Sequence, residues 1–203
     1  ARKETEKLRE LRSSGRIKFI AFDLSASGDV YRLTREIIGN SPSQIYGLIN
    51  NAAIGSDGIL ATQHLSEITK IINVNQIAPI LLSKYIGRQM VRVRQGHIIN
   101  ISSVVARTGY AGLSVYASSK AALLGFSKSL AREYGKYGVC VNSILPGFMQ
   151  TDMTQGILPE QLERIRRRSP NKTLPSTQCV ADLVLLILGT SDCSINGARS
   201  ATH

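Results

Sequence analysis

Apolar runs too short to be buried helices alternate with longer runs of helical period along almost the whole chain. Ile17–Asp23, Ile45–Asn50, His97–Ser102 and Val139–Leu145 read as strands. Glu4–Arg12, Val30–Ile38, Leu65–Val74, Pro79–Val93, Val115–Tyr134, Pro159–Arg168 and Gln178–Leu188 read as helices, with an interruption near Pro79. The strand runs are continuously apolar rather than alternating, so both of their faces must be covered. That combination predicts an α/β fold built on a doubly wound parallel sheet with helices on each side. Ligands in such sheets bind beyond the carboxyl ends of the strands. Polar residues gather there: Asp23, Asn50 and Asn51, Ser102 and Ser103, and the stretch from Pro146 to Thr151.

With 203 residues, one domain over 1–203 is expected, large enough for a substantial core. No apolar run reaches the ~20 residues that a membrane-spanning helix needs, so no membrane role is read. The formal net charge is +11, yet aromatics are only 5% and basic residues are spread along the chain. A nucleic-acid partner is therefore not expected, because stacking platforms are scarce. Arg164, Arg166, Arg167 and Arg168 form the one dense basic cluster, either a solvated helix face or an attraction for an anionic substrate. Cys140, Cys179 and Cys193 are read as three thiols in a reducing compartment, the cytoplasm or the mitochondrial matrix. His64, His97 and His203 show no metal-ligand spacing and are read as surface or loop residues, so no metal is expected.

Tyr116 and Lys120 stand four residues apart in a helical run, which puts them one above the other on one face. A phenol titrates near ~10 in water, and a neighbouring ammonium favours the phenolate and lowers that value. Ser103 lies upstream at a strand end, where its hydroxyl can hold a carbonyl or alcohol oxygen. The three together suit a site that moves a proton on and off an oxygen while a hydride moves on and off its carbon.

The ordered set Asn51-Ala52, Asn75, Ser103, Tyr116, Lys120 and Pro146-Gly147 resembles that of the short-chain dehydrogenase/reductase family. Within it the chain is most similar to the 3-oxoacyl-[acyl-carrier-protein] reductases, through Phe126–Glu133 and Pro146–Thr154. The resemblance implies a Rossmann-like sheet and NAD(P)H-dependent reduction of a carbonyl, with Tyr116 as general acid. It implies that Lys120 lowers the Tyr116 pKa and binds the nicotinamide ribose, that Ser103 orients the substrate oxygen, and that Asn75 holds a water feeding protons to Lys120. Asn75 can equally be a helix-kink residue before Pro79.

On the cofactor side the resemblance implies Arg2, Asp23, Leu24, Asn50, Asn51, Ala52, Pro146, Gly147, Met149 and Thr151, besides Tyr116 and Lys120. Asp23 would meet the adenine amino group or cap the next helix, and Thr151 would bond the nicotinamide carboxamide or act as a cap. Arg2 occupies the place of a 2′-phosphate ligand, so the expected cofactor is NADPH, with NAD possible. The expected partners are a small or acyl-carrier-bound carbonyl substrate, with Arg94 in a carrier-docking position, and further copies of the chain in a homotetramer or homodimer. Gly125, Ala121 and Ala122 would permit the close helix packing of that assembly.

The departures are equally definite. No Gly-x-x-x-Gly-x-Gly turn opens the chain, and the family's Asn-Asn-Ala-Gly reads Asn50-Asn51-Ala52-Ala53. Residues from Ala198 to His203 are short and polar where the family has a closing strand. The sheet is therefore expected to lack its first β-α-β unit and its last strand. The 203-residue chain by itself is expected to be weakly active or inactive, the alternative being a non-catalytic subunit or scaffold of the same fold.

Overall fold

The computed structural model describes residues 5–41, 44–55, 58–151, 158–169 and 171–202. Helices α1 (Glu6–Ser13) and α2 (Val30–Gly39) precede strand β1 (Gly47–Asn50). Helix α3 (Leu65–Ile72) runs through a π-helical turn at Asn73–Ile77 into α4 (Ala78–Val93), so the predicted break before Pro79 is a change of helical winding. Strand β2 (Gly96–Ile101), the short α5 (Val105–Thr108) and the long α6 (Ser114–Gly135) follow. Strand β3 (Val139–Pro146), α7 (Pro159–Arg168), α8 (Thr177–Leu188) and β4 (Arg199–Thr202) complete the order.

The sheet has the order β1-β2-β3-β4 with every pair parallel. Every residue of β2 and β3 is buried, as continuous apolar runs demand. Successive side chains alternate between two cores. Ile98, Val139 and Val141 pack with Ile86 and Met90 of α4 and Leu130 and Ala131 of α6. Ile99, Ile101 and Ile144 face the other way, onto Ile187, Val180, Leu183 and Val184 of α8. Gly87 lets α4 and α6 close on this sheet, since a Cβ there would lie 2.7 Å from the Tyr134 ring.

Four expectations need correction. Ile17–Asp23 forms no strand, because no described segment runs beside it to complete a ladder and a lone extended run has no pairing partner. The closing strand that was expected to be missing is present: Ser143 to Pro146 pair with Arg199 to Thr202. Its polar side chains hid it, but pairing of this kind is made by backbone groups. Cys140 and Cys193 form a disulfide across 5.3 Å between Cα atoms, leaving Cys179 as the free thiol. Two cysteines far apart in sequence meet because α8 returns the chain to the amino end of β3, and the argument for a reducing compartment loses its basis. His97 is also not superficial: it is buried in β2, its Nε2 3.1 Å from the Tyr46 hydroxyl, and burial lowers its pKa. It falls on the sheet face that Tyr46 and the end of α8 cover.

Candidate active site

Strands β2 and β3 end side by side, and the loops leaving them are tied together. Ser102 N–H donates to the Ile144 carbonyl at 2.7 Å and Val104 N–H to the Pro146 carbonyl at 3.0 Å. These bonds place Ser103 at the mouth, half-buried, against the first turns of α6. There its hydroxyl is near enough to the Tyr116 phenol to favour the phenolate. Ser103 Oγ also accepts from Val105 N–H at 3.3 Å, which fixes its own direction.

Lys120 is buried, 2% exposed, one turn beyond Tyr116. Its Nζ donates to the Ile101 carbonyl at 2.7 Å, while its own backbone carbonyl accepts from Ser102 Oγ at 2.8 Å. The lysine is thus clamped to the end of β2 by both its side chain and its main chain. Burial draws its pKa down to about 8. Nζ lies 5.8 Å from the centre of the Tyr116 ring. Contrary to expectation, the Tyr116 phenol is not depressed here: burial pushes its pKa up, and the nearby Ser103 hydroxyl only partly opposes that. Desolvation of the phenolate outweighs a lysine that points at a carbonyl.

Asn75 is fully buried in the π-turn. Its Oδ1 accepts from Ile54 N–H at 2.9 Å, and its Nδ2 donates to the Ile54 carbonyl at 2.8 Å and to Ser119 Oγ at 3.1 Å. Asn75 therefore joins the loop after β1 to α6. The structure brings Asn75, Ser103, Tyr116 and Lys120 to one end of the sheet.

The expected cofactor residues divide. Asn51 and Ala52 are exposed on the loop after β1. Asn50 does not line the cleft with its side chain, which is 5% exposed and turned into the core. Its Nδ2 donates to Asn100 Oδ1 at 2.8 Å and Ser83 Oγ at 3.2 Å, and Asn100 in turn donates to Ser127 Oγ at 2.8 Å. Asn50 and Asn100 are partners in the β1–β2 register, so two amides on the same face must satisfy one another. An asparagine inside the apolar run of β2 was the available signal for this network.

Asp23 is exposed, with Oδ1 accepting from Ser25 N–H at 2.9 Å in a turn that half-buries Leu24. It does not cap α2, whose N-cap is Asp29. Pro146 is buried. Gly147 N–H donates to the Thr202 carbonyl at 2.8 Å, and a Cβ on Gly147 would sit 2.8 Å from that same oxygen. Strand β4 therefore requires glycine there. Met149 and Thr151 are half-buried and engage neighbours. Arg2 lies outside the described residues, as does the Arg168 side chain. Arg94 caps α4 at the opposite, amino end of β2, where its guanidinium donates to the Lys136 carbonyl at 3.0 Å.

Residues 1–162 match the family profile described as short chain dehydrogenase. The chain belongs to the short-chain dehydrogenase/reductase family. Among curated proteins it is 39% identical over 150 residues to the 3-oxoacyl-[acyl-carrier-protein] reductase of Escherichia coli, covering 74% of this chain and 62% of that one. It is 36% identical over 146 residues to carbonyl reductase family member 4 of Xenopus tropicalis, covering 72% of this chain and 61% of that one. The matched stretch thus spans about three fifths of each relative's length. Among solved structures, a 4-hydroxyisoleucine dehydrogenase mutant complexed with NADH and succinate superposes with a TM-score of 0.91 at 24% identity, over 100% of this chain and 84% of that one. ElxO with NADP bound gives 0.85 at 24% identity, over 98% of this chain and 84% of that one. These two likenesses show a Rossmann-like α/β fold.

The nicotinamide end of a dinucleotide fits the residues present. A lysine ammonium has three protons, the Ile101 carbonyl takes one, and a ribose diol offers acceptors for others. Among the described residues there is no metal-binding cluster of histidine, cysteine or acidic groups, and no helix long and apolar enough to cross a membrane.

Proposed function

We propose that this fold serves NADPH-dependent reduction of a carbonyl to a hydroxyl, the substrate being a 3-oxoacyl thioester on an acyl carrier. The observation that carries the reading is the gathering of Ser103, Tyr116 and a buried Lys120, one turn further on, at the carboxyl ends of β2 and β3. A bound dihydronicotinamide supplies the hydride. Ser103 receives the carbonyl oxygen and supports charge on it. Tyr116 donates its phenolic proton to that oxygen as the carbon–hydrogen bond forms, so the products are the alcohol, a tyrosinate and the oxidised nicotinamide. Lys120 supports the tyrosinate and binds the ribose, and Asn75 anchors the water that returns the proton. A raised phenol pKa suits the donor role, because the proton is retained through neutral pH.

Asn51, Ala52, Asp23 and Leu24 would border the adenosine, with Arg2 on its 2′-phosphate, and Pro146, Gly147, Met149 and Thr151 would border the nicotinamide. The reading includes a homotetramer or homodimer through α4 and α6, and a carrier docking at Arg94. If Arg94→Glu leaves the KM for an acyl-carrier substrate unchanged, the docking role is wrong.

Support comes from the E. coli relative's name and from the sequence likeness that spans the site. The test is fluorescence titration with NADPH and NADH, followed by absorbance at 340 nm with acetoacetyl thioester, on the 203-residue chain and on any longer form encoded with it. Tighter NADPH binding and thioester-dependent oxidation are expected. Binding of neither nucleotide by any form would sink the reading.

A further inference from the structure

Ser119 is fully buried beside the site, and nothing in the proposed reaction uses it. Its hydrogen bonds have one consistent polarity. The Asn75 amide is oriented by its two bonds to Ile54, since Oδ1 must accept from the Ile54 N–H and Nδ2 must face the Ile54 carbonyl. The remaining Nδ2 proton then goes to Ser119 Oγ at 3.1 Å. Ser119 must therefore spend its own proton on its other neighbour, the Tyr116 carbonyl, at 2.7 Å. In a helix that carbonyl already accepts from the N–H four residues on, which belongs to Lys120. A serine bonding back to a carbonyl of the preceding turn bends the helix locally.

We infer that Ser119 is a positioning residue: a strut from the π-turn to the Tyr116 backbone that sets the phenol against Ser103. This rests on the proposed acid role of Tyr116. Three contacts then hold the second turn of α6, directly beyond Tyr116. Lys120 Nζ and the Lys120 carbonyl tie it to the end of β2, and Ser119 ties it to Asn75 on the other side. Without the strut the Tyr116 backbone loses its hydrogen-bonded tie to the π-turn. A reacting group displaced by about 1 Å can lose ~100-fold in rate.

The experiment compares wild type, Ser119→Ala and Ser119→Thr, each also in a Tyr116→Phe background so that the Tyr116 phenol can be isolated in a tyrosinate absorbance titration. In Ser119→Ala the phenol moves away from Ser103, and its titration moves to higher pH. The kcat for thioester reduction falls roughly tenfold, the KM for NADPH stays within twofold, and the alkaline limb of the rate profile moves with the phenol. Ser119→Thr, which keeps the hydroxyl, restores the titration. If Ser119→Ala lowers Tm but leaves both the titration and the rate profile unchanged, Ser119 is only a packing residue and the inference is overturned. If Ser119→Thr unfolds the protein, Ser119→Cys takes its place, with partial recovery expected from its weaker donor. Should wild type show no turnover while the Ser119→Ala titration still shifts, the positioning role stands and the proposed reaction falls.

Discussion

The two sides of the cleft are held in different ways. On one side, Lys120, Ser119 and Asn75 are fully or almost fully buried, and each makes at least one hydrogen bond to another segment of the chain. On the other, Asn51, Ala52 and Asp23 are exposed on loops, and Asp23 Oδ1 accepts from Ser25 N–H only two residues along. The side proposed for acid–base chemistry is therefore built in advance by the protein, whereas the side proposed for the dinucleotide presents loop surface. Strand β1 shares that character: among the described residues it pairs with β2 alone, and its Ile49 is 37% exposed. Preorganisation is spent where geometry decides a rate, and binding can tolerate looser elements.

The largest test of this contrast is Tyr116→Phe. Loss of the phenolic proton should cut turnover by ~1000-fold, while thermal unfolding changes little and NADPH affinity stays within a few-fold. A comparable loss of cofactor affinity would show that the built side also does the binding.

Removal of the disulfide comes next. Cys193→Ser opens the link across a separation of 53 residues, worth about 4 kcal/mol on loop-entropy grounds. Tm should fall by many degrees, and limited loss of kcat at a temperature where the variant stays folded would place this effect outside the chemistry.

A third test uses pH. The Lys120 pKa falls from its ordinary 10.5 to about 8 on folding. Between those values the unfolded chain binds more protons than the folded one, so this lysine makes stability rise as pH increases from about 8 towards 10.5. Urea midpoints of wild type minus those of Lys120→Met should increase across that window, and a flat difference would mean that Lys120 is not desolvated as the structure has it.

The smallest effect expected is from Asn51→Ala. An exposed loop side chain should change stability by less than ~0.5 kcal/mol yet weaken NADPH binding several-fold, as isothermal titration would record.

Much of this was legible in the chain. The helix from Ser114 to Gly135 and the strands β2 and β3 follow from period and apolarity, and Tyr116, Ser103 and Lys120 were marked by their order. What was not legible depends on contacts made across the fold. The direction of Asn50 is set by an amide on a neighbouring strand, and the pairing of Cys140 with Cys193 needs the return path of α8. Strand β4 is defined by backbone bonds that its polar side chains do not advertise. The rise of the Tyr116 pKa reflects how deeply the ring sits, a quantity that residue spacing does not contain.

The Cys140–Cys193 link also changes what a protease would do to the molecule. Helix α7 lies within the span it closes, and carries exposed Arg164, Arg166 and Arg167. A tryptic cut there would sever the main chain without releasing either half, because the two pieces remain covalently joined through sulfur. The nicked molecule would run as one band on a denaturing gel and as two once a reductant is added.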